Sequence, residues 1–142
     1  MTSSTSTRGI DVAWMPNPKE IEAVLRLGDA DRYSYLIKKV VDQEELWSLW
    51  EEGGWVLTSD DQGRELVPVW PHAKYAEICA NGVWSTAGPR SISLDAWLAR
   101  WLPGITRDHR GIAVFPTPNN RAVAVDADRL SADIEEELAN YE

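Results

Sequence analysis

Eight tryptophans in a chain of 142 residues limit what this protein can fold into. Proteins of average composition carry about one or two per hundred residues. Each indole is a large apolar ring system with one N–H, which needs an acceptor when the ring is buried. The spacing predicts that the tryptophans form two groups, with Trp47, Trp50, Trp97 and Trp101 in the core and Trp55 and Trp84 at its edge. The fold must therefore bury several large rings at once.

Trp70 stands apart from these two groups, because it ends a predicted strand and is followed by Pro71 and His72. Pro68 cannot donate a hydrogen bond to a ladder, so this strand is expected at the edge of a sheet. A partly exposed indole beside a sheet edge is a typical anchor for a partner surface. The sequence thus leaves two interpretations of Trp70, a core side chain or an interface anchor, and the second makes it a candidate binding residue.

Helix and strand signals alternate along the chain and predict an α+β domain. Helices are expected from Pro18 (capped by Asn17), from Asp29, from Asp42 to Trp50, from Pro71 to Cys79, from Ser93 to Pro103-Gly104, and from Asp126 or Asp128, the last with Leu130, Ile134, Leu138 and Tyr141 on one face. Strands are expected at residues 55–58 and 65–70, joined by a turn at residues 60–63, and at residues 112–115 and 121–125. This order indicates a small, mainly antiparallel sheet of about four to six strands packed with helices.

The length and composition fit one soluble domain. The chain is 44% apolar and 26% charged, close to the averages for globular proteins. Ser and Thr dominate the first seven residues, so we expect a flexible arm over residues 1–16 and a single domain over residues 17–142. No apolar run is long enough to span a bilayer or to act as a signal peptide, which predicts a cytoplasmic protein without membrane contact.

The net charge of −9 disfavours nucleic acid as a partner, because phosphate binding needs clustered Lys and Arg. The charge is concentrated in the last 17 residues, which hold seven acidic side chains and one basic one, Arg129. Glu135 and Glu136 lie on the polar face of the predicted C-terminal helix. Such a face would attract a basic protein.

Catalytic, metal and cofactor motifs do not emerge from the sequence. His72 and Cys79 are seven residues apart on one predicted helix, about 10 Å along its axis, which is too far for direct proton transfer. His72 and His109 have no neighbours at zinc-ligand spacing. Gly53-Gly54 precedes a strand, whereas a phosphate-binding loop precedes a helix. We therefore predict neither a metal nor a cofactor, and expect Cys79 to be a small buried side chain.

An ordered series of motifs carries a family resemblance. In chain order the motifs are Arg32-Tyr33-x-Tyr35-x-Ile37-Lys38-Lys39-Val40-x-Asp42, Glu45-x-Trp47, Gly54-Trp55-x-Leu57, Asp61-x-Gly63, Pro68-Val69-Trp70-Pro71, Tyr75-Ala76, Trp84, Ile92-x-Leu94, Trp101-Leu102-Pro103-Gly104 and Val114-Phe115-Pro116-x-Pro118. Over about residues 29–142 the chain resembles the bacterial domain-of-unknown-function 2750 family, which consists of short single-domain proteins. The resemblance implies no catalytic or binding residues. The hairpin and the segment around Trp70 also look like adaptor-type domains among bacterial toxin-immunity proteins, a likeness of architecture alone.

Two functional hypotheses follow from the sequence. The first is a non-catalytic protein-binding module, with an adaptor or immunity-like role and a basic partner on the acidic helix. The alternative is a small-molecule-binding protein or an enzyme, with a site near Trp70, His72, Asp108 and His109, where polar groups and an indole could converge. Both a monomer and a homodimer are compatible with the sequence.

Overall fold

The structure is a computed structural model and describes residues 14–80, 84–119 and 122–141. Its elements, in chain order, are α1 (Pro18–Leu25), α2 (Asp29–Gln43), β1 (Glu45–Glu51), β2 (Gly54–Trp55), β3 (Thr58–Ser59), β4 (Glu65–Val69), α3 (Ala73–Cys79), β5 (Gly88–Ser93), α4 (Leu94–Ala96), a π-helical turn (Trp97–Trp101), α5 (Leu102–Arg107), β6 (Gly111–Val114), β7 (Val123–Val125) and α6 (Ala127–Tyr141).

Local signals define the first two helices and the last one. The Asn17 side chain accepts a hydrogen bond from the Glu20 N–H at 2.8 Å, and Pro18 occupies the first turn of α1. The predicted apolar stripe of α2 is buried at Tyr33, Leu36, Ile37 and Val40. On α6, Leu130 and Ile134 are buried and Leu138 packs against the core. These predictions are confirmed, whereas the side chain of Tyr141 lies outside the described residues.

The prediction of a third helix over residues 42–50 is wrong, because this segment ends α2 and then forms β1. Glu44 terminates α2 with a left-handed φ of 59°, and Asp42 lies inside that helix rather than at its start. β1 pairs antiparallel with β5 from Glu45↔Ser93 to Trp50↔Gly88 and also with β2 at Trp50↔Trp55. The backbone hydrogen bonds of β1 to β5 and β2 outweigh the local capping signal at Asp42, which is worth only about 1 kcal/mol.

The strands form two sheets, one of three strands in the order β2-β1-β5 and one of four in the order β3-β4-β6-β7. Within the described residues every pairing is antiparallel except β4 with β6. The predicted turn at residues 60–63 is confirmed. There Asp60 Oδ1 accepts from the Gln62 and Arg64 N–H groups, and Gly63 adopts a φ of 83°, which favours glycine.

Two strand predictions need correction. Trp55 belongs to the three-stranded sheet, so the predicted hairpin shortens to Thr58↔Leu66 and Ser59↔Glu65. β4 lies inside its sheet rather than at the edge. Pro68 is tolerated there because β3 pairs only with Glu65 and Leu66, so its missing N–H removes no bond to β3.

In the part of the chain that the structure describes, the two sheets join at one backbone bridge, between Trp47 and Trp70. The Trp47 N–H donates to the Trp70 carbonyl at 2.9 Å, and the Trp70 N–H donates to the Trp47 carbonyl at 2.8 Å. Beside this bridge the buried Ser48 hydroxyl donates to the Pro68 carbonyl at 2.6 Å. The helices pack on both sheets around one core, so the predicted α+β architecture is confirmed.

Residues 94–107 form a helical stretch that contains a π-helical turn. Ser93 caps its start as predicted, by accepting from the Ala96 N–H at 3.1 Å. The predicted stop at Pro103-Gly104 is wrong, since α5 continues to Arg107. In the π turn the Leu102 N–H donates to the Trp97 carbonyl, five residues back. Pro103 thereby falls in the first turn of α5, where its missing N–H costs little.

Two further observations concern the ends of the domain and membranes. Residues 1–13 of the predicted arm lie outside the described part, and Trp14, which also belongs to that arm, packs against Tyr35 and His72. Of the helices in the described ranges, none combines the length and apolar character needed to cross a bilayer.

We predict that Ser48→Ala weakens the join between the sheets. The Ser48 hydroxyl is fully buried, and its loss removes a hydrogen bond and leaves the Pro68 carbonyl without that donor. The free energy of unfolding should fall by about 1–3 kcal/mol in urea titrations at an unchanged slope. Ser91→Ala, an exposed change in β5, should stay within about 0.5 kcal/mol of the wild type. Equal stability of the two variants would contradict the role of Ser48.

Candidate functional site

An open cleft of about 420 Å³ lies between the helical stretch and the start of the parallel strand pair. We call it the tryptophan cleft. Its walls are Trp55 and Trp101, its aliphatic floor is Leu57, Val67 and Ile105, and its remaining lining is Arg100, Gly104, Asp108 and Arg110. A mainly apolar cleft of this volume with a few polar groups is typical of binding sites.

The two walls are the middle members of a row of four indoles, in the order Trp50, Trp55, Trp101 and Trp97. Trp55 meets Trp101 edge to face at 4.8 Å between ring centroids. Trp50 packs edge to face on Trp55 at 5.1 Å, and Trp97 stacks on Trp101 at 5.6 Å. Trp97 is fully buried, whereas Trp55 and Trp101 are partly exposed. The contacts of Trp50 and of the buried Trp97 hold the cleft walls in one geometry.

Two local features bring this row together. The turn between β1 and β2 includes Gly53 at a φ of 99°, and it sets Trp55 directly across the ladder from Trp50. The π-helical turn carries both Trp97 and Trp101. Such turns cost helical hydrogen-bond geometry and often occur at functional sites. The cleft therefore combines a sheet edge with an irregular helix.

Arginines surround the tryptophan cleft. Arg110 is held by two carboxylates, since its Nε donates to Glu65 at 2.9 Å and its Nη1 donates to Asp108 at 3.2 Å. The Arg90 guanidinium lies 4.1 Å from the centroid of the Trp50 ring, within the range of a cation–π contact. Arg100 and Arg107 are exposed on the helical stretch. The surroundings of the cleft are thus locally basic in an acidic protein.

A second, larger cavity of about 880 Å³ runs along β3 and is lined in part by Cys79, Trp84 and Thr117. Cys79 is buried, and its thiol donates to the Pro116 carbonyl at 3.3 Å. Burial raises the pKa of the Cys79 thiol to about 11. At neutral pH the thiol is therefore protonated and a poor nucleophile, as befits a small buried side chain.

Trp70 is fully buried, which confirms its place in the core and rules out the alternative of a partly exposed indole. The backbone of Trp70 forms two hydrogen bonds with that of Trp47, and the Trp70 Nε1 donates to the Pro116 carbonyl at 2.9 Å. The strand before Trp70, β4, lies between β3 and β6 in the four-stranded sheet instead of at an edge. Trp70 is a link between the sheets.

Of the sequence-predicted small-molecule site, Asp108 and His109 do not converge with Trp70 and His72. β4 and β6 run parallel; Trp70 and His72 follow the end of β4, whereas Asp108 and His109 precede the start of β6. Four residues of strand separate these two ends by about 13 Å. Asp108 lines the tryptophan cleft, while His109 is exposed in the turn after α5.

The acidic helix presents Glu135 and Glu136 to solvent, as its pattern predicts. Asp133 differs from them, because it accepts a hydrogen bond from the Tyr33 hydroxyl and pairs with Arg129 at 3.7 Å. Within the described residues no group of three or more His, Cys, Asp or Glu side chains could hold a metal ion.

Sequence reasoning missed the cleft, because it assigned Trp101 to the core and Trp55 to the core edge. One signal was available. Residues 90–110 contain four arginines and two aspartates in a chain whose net charge is −9. A basic stretch that also carries Trp97 and Trp101 matches the Trp and Arg enrichment of protein interfaces.

His72 caps α3 with a neutral ring nitrogen, since its Nδ1 accepts from the Lys74 N–H at 3.0 Å. Burial lowers the pKa of His72, and a hydrogen bond with the Trp14 backbone opposes this shift only in part. The charges of Glu77 and Glu20 favour the protonated ring, and that of Lys74 disfavours it. The unfolded chain therefore binds this proton more readily than the folded chain.

We predict a loss of stability on acidification that depends on His72. The neutral ring contributes fully to the free energy of unfolding above the pKa of the unfolded chain, which is about 6.5. This contribution is lost as the pH falls below that value. The melting temperature should drop less between pH 7.5 and 5.5 in His72→Asn, because asparagine keeps the cap and does not titrate. The control is His109→Asn, because His109 is exposed and has a φ of 60° that asparagine tolerates. Its melting temperature should drop as much as that of the wild type. A drop in His72→Asn as large as in the wild type would contradict this role.

Comparison with known proteins yields one match. The family model described as "Protein of unknown function (DUF2750)" matches residues 33–134, a range that includes both walls of the tryptophan cleft. No curated protein and no solved structure matches the chain.

Proposed function

The chain belongs to the DUF2750 family, and we propose that it works as a protein-binding module whose partner inserts an apolar side chain into the tryptophan cleft. One observation carries the proposal: two partly exposed indoles stand over an aliphatic floor in an open cleft. Burying about 100 Å² of apolar surface there is worth about 2.5 kcal/mol.

The residue types at the cleft support a protein partner. Trp and Arg are the side chains most enriched among interface residues that dominate binding energy. Trp55, Trp101, Arg100 and Arg110 all line this cleft. The stacking of Trp97 on Trp101 lowers the entropy lost on binding, because the wall is ordered before the partner arrives. An adaptor and an immunity protein would both act in this way, by contact alone.

Gly104 offers a way to block the cleft without removing a tryptophan. It lies in α5 and lines the cleft, and a Cβ atom there would meet only Arg107 Nη2, at 3.4 Å. A leucine side chain at this position would therefore fill the cleft at little cost to the helix. Ala99→Leu is the matched control, because Ala99 is exposed on the π-helical turn and does not line the cleft.

We predict that peptides selected from a random displayed library on the wild-type protein bind Gly104→Leu at least about tenfold more weakly, a difference of about 1.4 kcal/mol. Their affinity for Ala99→Leu should equal that for the wild type. Dissociation constants from calorimetry, with melting temperatures to check folding, measure the effect. Peptides that bind Gly104→Leu as tightly as the wild type would show that the cleft is not the site.

A second candidate surface is the outer face of α6, which would attract a basic protein. α6 carries Asp128, Asp133 and three consecutive glutamates, Glu135 to Glu137, against a single arginine, Arg129. Exposed charges of one sign steer association and are screened by salt. This surface and the tryptophan cleft differ in charge, so they would bind partners of different chemistry.

For this second surface we predict that the double variant Glu135→Lys with Glu136→Lys fails to retain a basic protein that the wild type captures from native lysate at low salt. The double variant Asp31→Lys with Glu52→Lys makes the same charge change at exposed residues elsewhere and should retain that protein. Every variant that captures the basic protein at low salt should lose it at high salt. Equal loss in both double variants would mean that only net charge matters.

A further inference from the structure

The arginines around the tryptophan cleft differ in whether their charge is already matched. Arg110 is fixed by Glu65 and Asp108, and Arg64 Nη2 donates to its carbonyl at 2.8 Å. By contrast, neither Arg100 nor Arg107 forms an ion pair with another residue in the described ranges. Arg110 is therefore committed to the fold, and two guanidiniums are left for a ligand.

Arg100 and Arg107 flank Gly104 on the helical stretch. The spacings of four and three residues put all three on one face of a helix, over about 10 Å of its length. Arg107 Nη2 lies 3.4 Å from the place where a Cβ of Gly104 would stand, so this guanidinium reaches over the glycine. Arg100 and Gly104 both line the cleft. Two cationic groups therefore lie beside Gly104, and one of them, Arg100, also lines the cleft.

Resting on the proposed function, we infer that the partner segment carries a carboxylate side chain next to the apolar side chain that enters the cleft. Charge complementarity supports this occupant, because a guanidinium matches a carboxylate in geometry as well as charge. Arg100 and Arg107 would bind the carboxylate, while the apolar group packs against the exposed parts of Trp55 and Trp101 and the aliphatic floor.

The expected preference for a carboxylate over a neutral side chain is moderate, since Arg100 and Arg107 are exposed. Exposed ion pairs contribute little in water and are screened by salt, so two of them correspond to about a fivefold gain in affinity at low ionic strength. The apolar contact in the cleft should supply the larger part of the binding. The carboxylate would thus select among apolar segments rather than capture the partner by itself.

The test uses three terminally blocked peptides in which a Leu-Leu pair is flanked on both sides by Glu, by Gln or by Lys. Binding is followed by NMR through the indole N–H signals of Trp55 and Trp101, each assigned with a Trp→Phe variant. The full chain is titrated with each peptide at low salt. The double variant Arg100→Gln with Arg107→Gln is compared with Lys19→Gln with Arg26→Gln, which removes two exposed charges that do not line the cleft.

The Glu peptide should bind the wild type about fivefold more tightly than the Gln peptide, and the Lys peptide should bind most weakly. This order should disappear in the Arg100/Arg107 variant and persist in the Lys19/Arg26 variant. Equal affinities for the Glu and Gln peptides, a preference for the Lys peptide, or a preference that survives in both variants would overturn the carboxylate inference and leave the cleft proposal standing. Failure of all three peptides to shift either indole signal would overturn the cleft proposal itself.

Discussion

The structure depends on the bridge between Trp47 and Trp70. Each residue donates its N–H to the carbonyl of the other, which is the one described backbone pairing between strands of the two sheets. The two sheets are small, with three and four strands, and several of their strands are only two or three residues long. The bridge and the neighbouring Ser48–Pro68 hydrogen bond give both sheets a common core. Both tryptophans thus serve the join with their backbones as well as their rings.

A buried arginine extends this join to the helices. Arg32 is almost completely buried, and its guanidinium donates to the Phe115 carbonyl at 3.1 Å and to the Leu27 carbonyl at 2.9 Å. Phe115 adopts a φ of 54°, which is costly for an aromatic residue and needs such support. The next carbonyl, of Pro116, accepts from Trp70 Nε1. The turn at Phe115 and Pro116 therefore accepts hydrogen bonds from α2 and from the junction of the sheets. The tryptophan cleft lies at the opposite end of the parallel strands from this turn.

The success of sequence reasoning varied from element to element for a physical reason. Asn17, Pro18 and Gly63 act on backbone groups within a few residues, so α1 and the turn at residues 60–63 were predictable. The segment after Asp42 carried an equally clear local signal, yet it became β1, because Glu45 pairs with Ser93 and Trp50 with Gly88. Pairings across about forty residues leave no periodic trace in either segment. The same holds for the cleft, whose walls come from β2 and from the π-helical turn.

The sequence by itself determined the α+β class, the apolar faces of α2 and α6, the acidic outer face of α6, and the family, because each rests on composition, on spacing within one element, or on an ordered series of motifs. Only the tertiary structure decided that Trp70 is buried, that His72 and Asp108 lie at opposite ends of the parallel strands, and that Trp55 and Trp101 face one another. Burial and convergence are properties of pairs of distant residues, and the free energy that selects them comes from packing that no single segment contains.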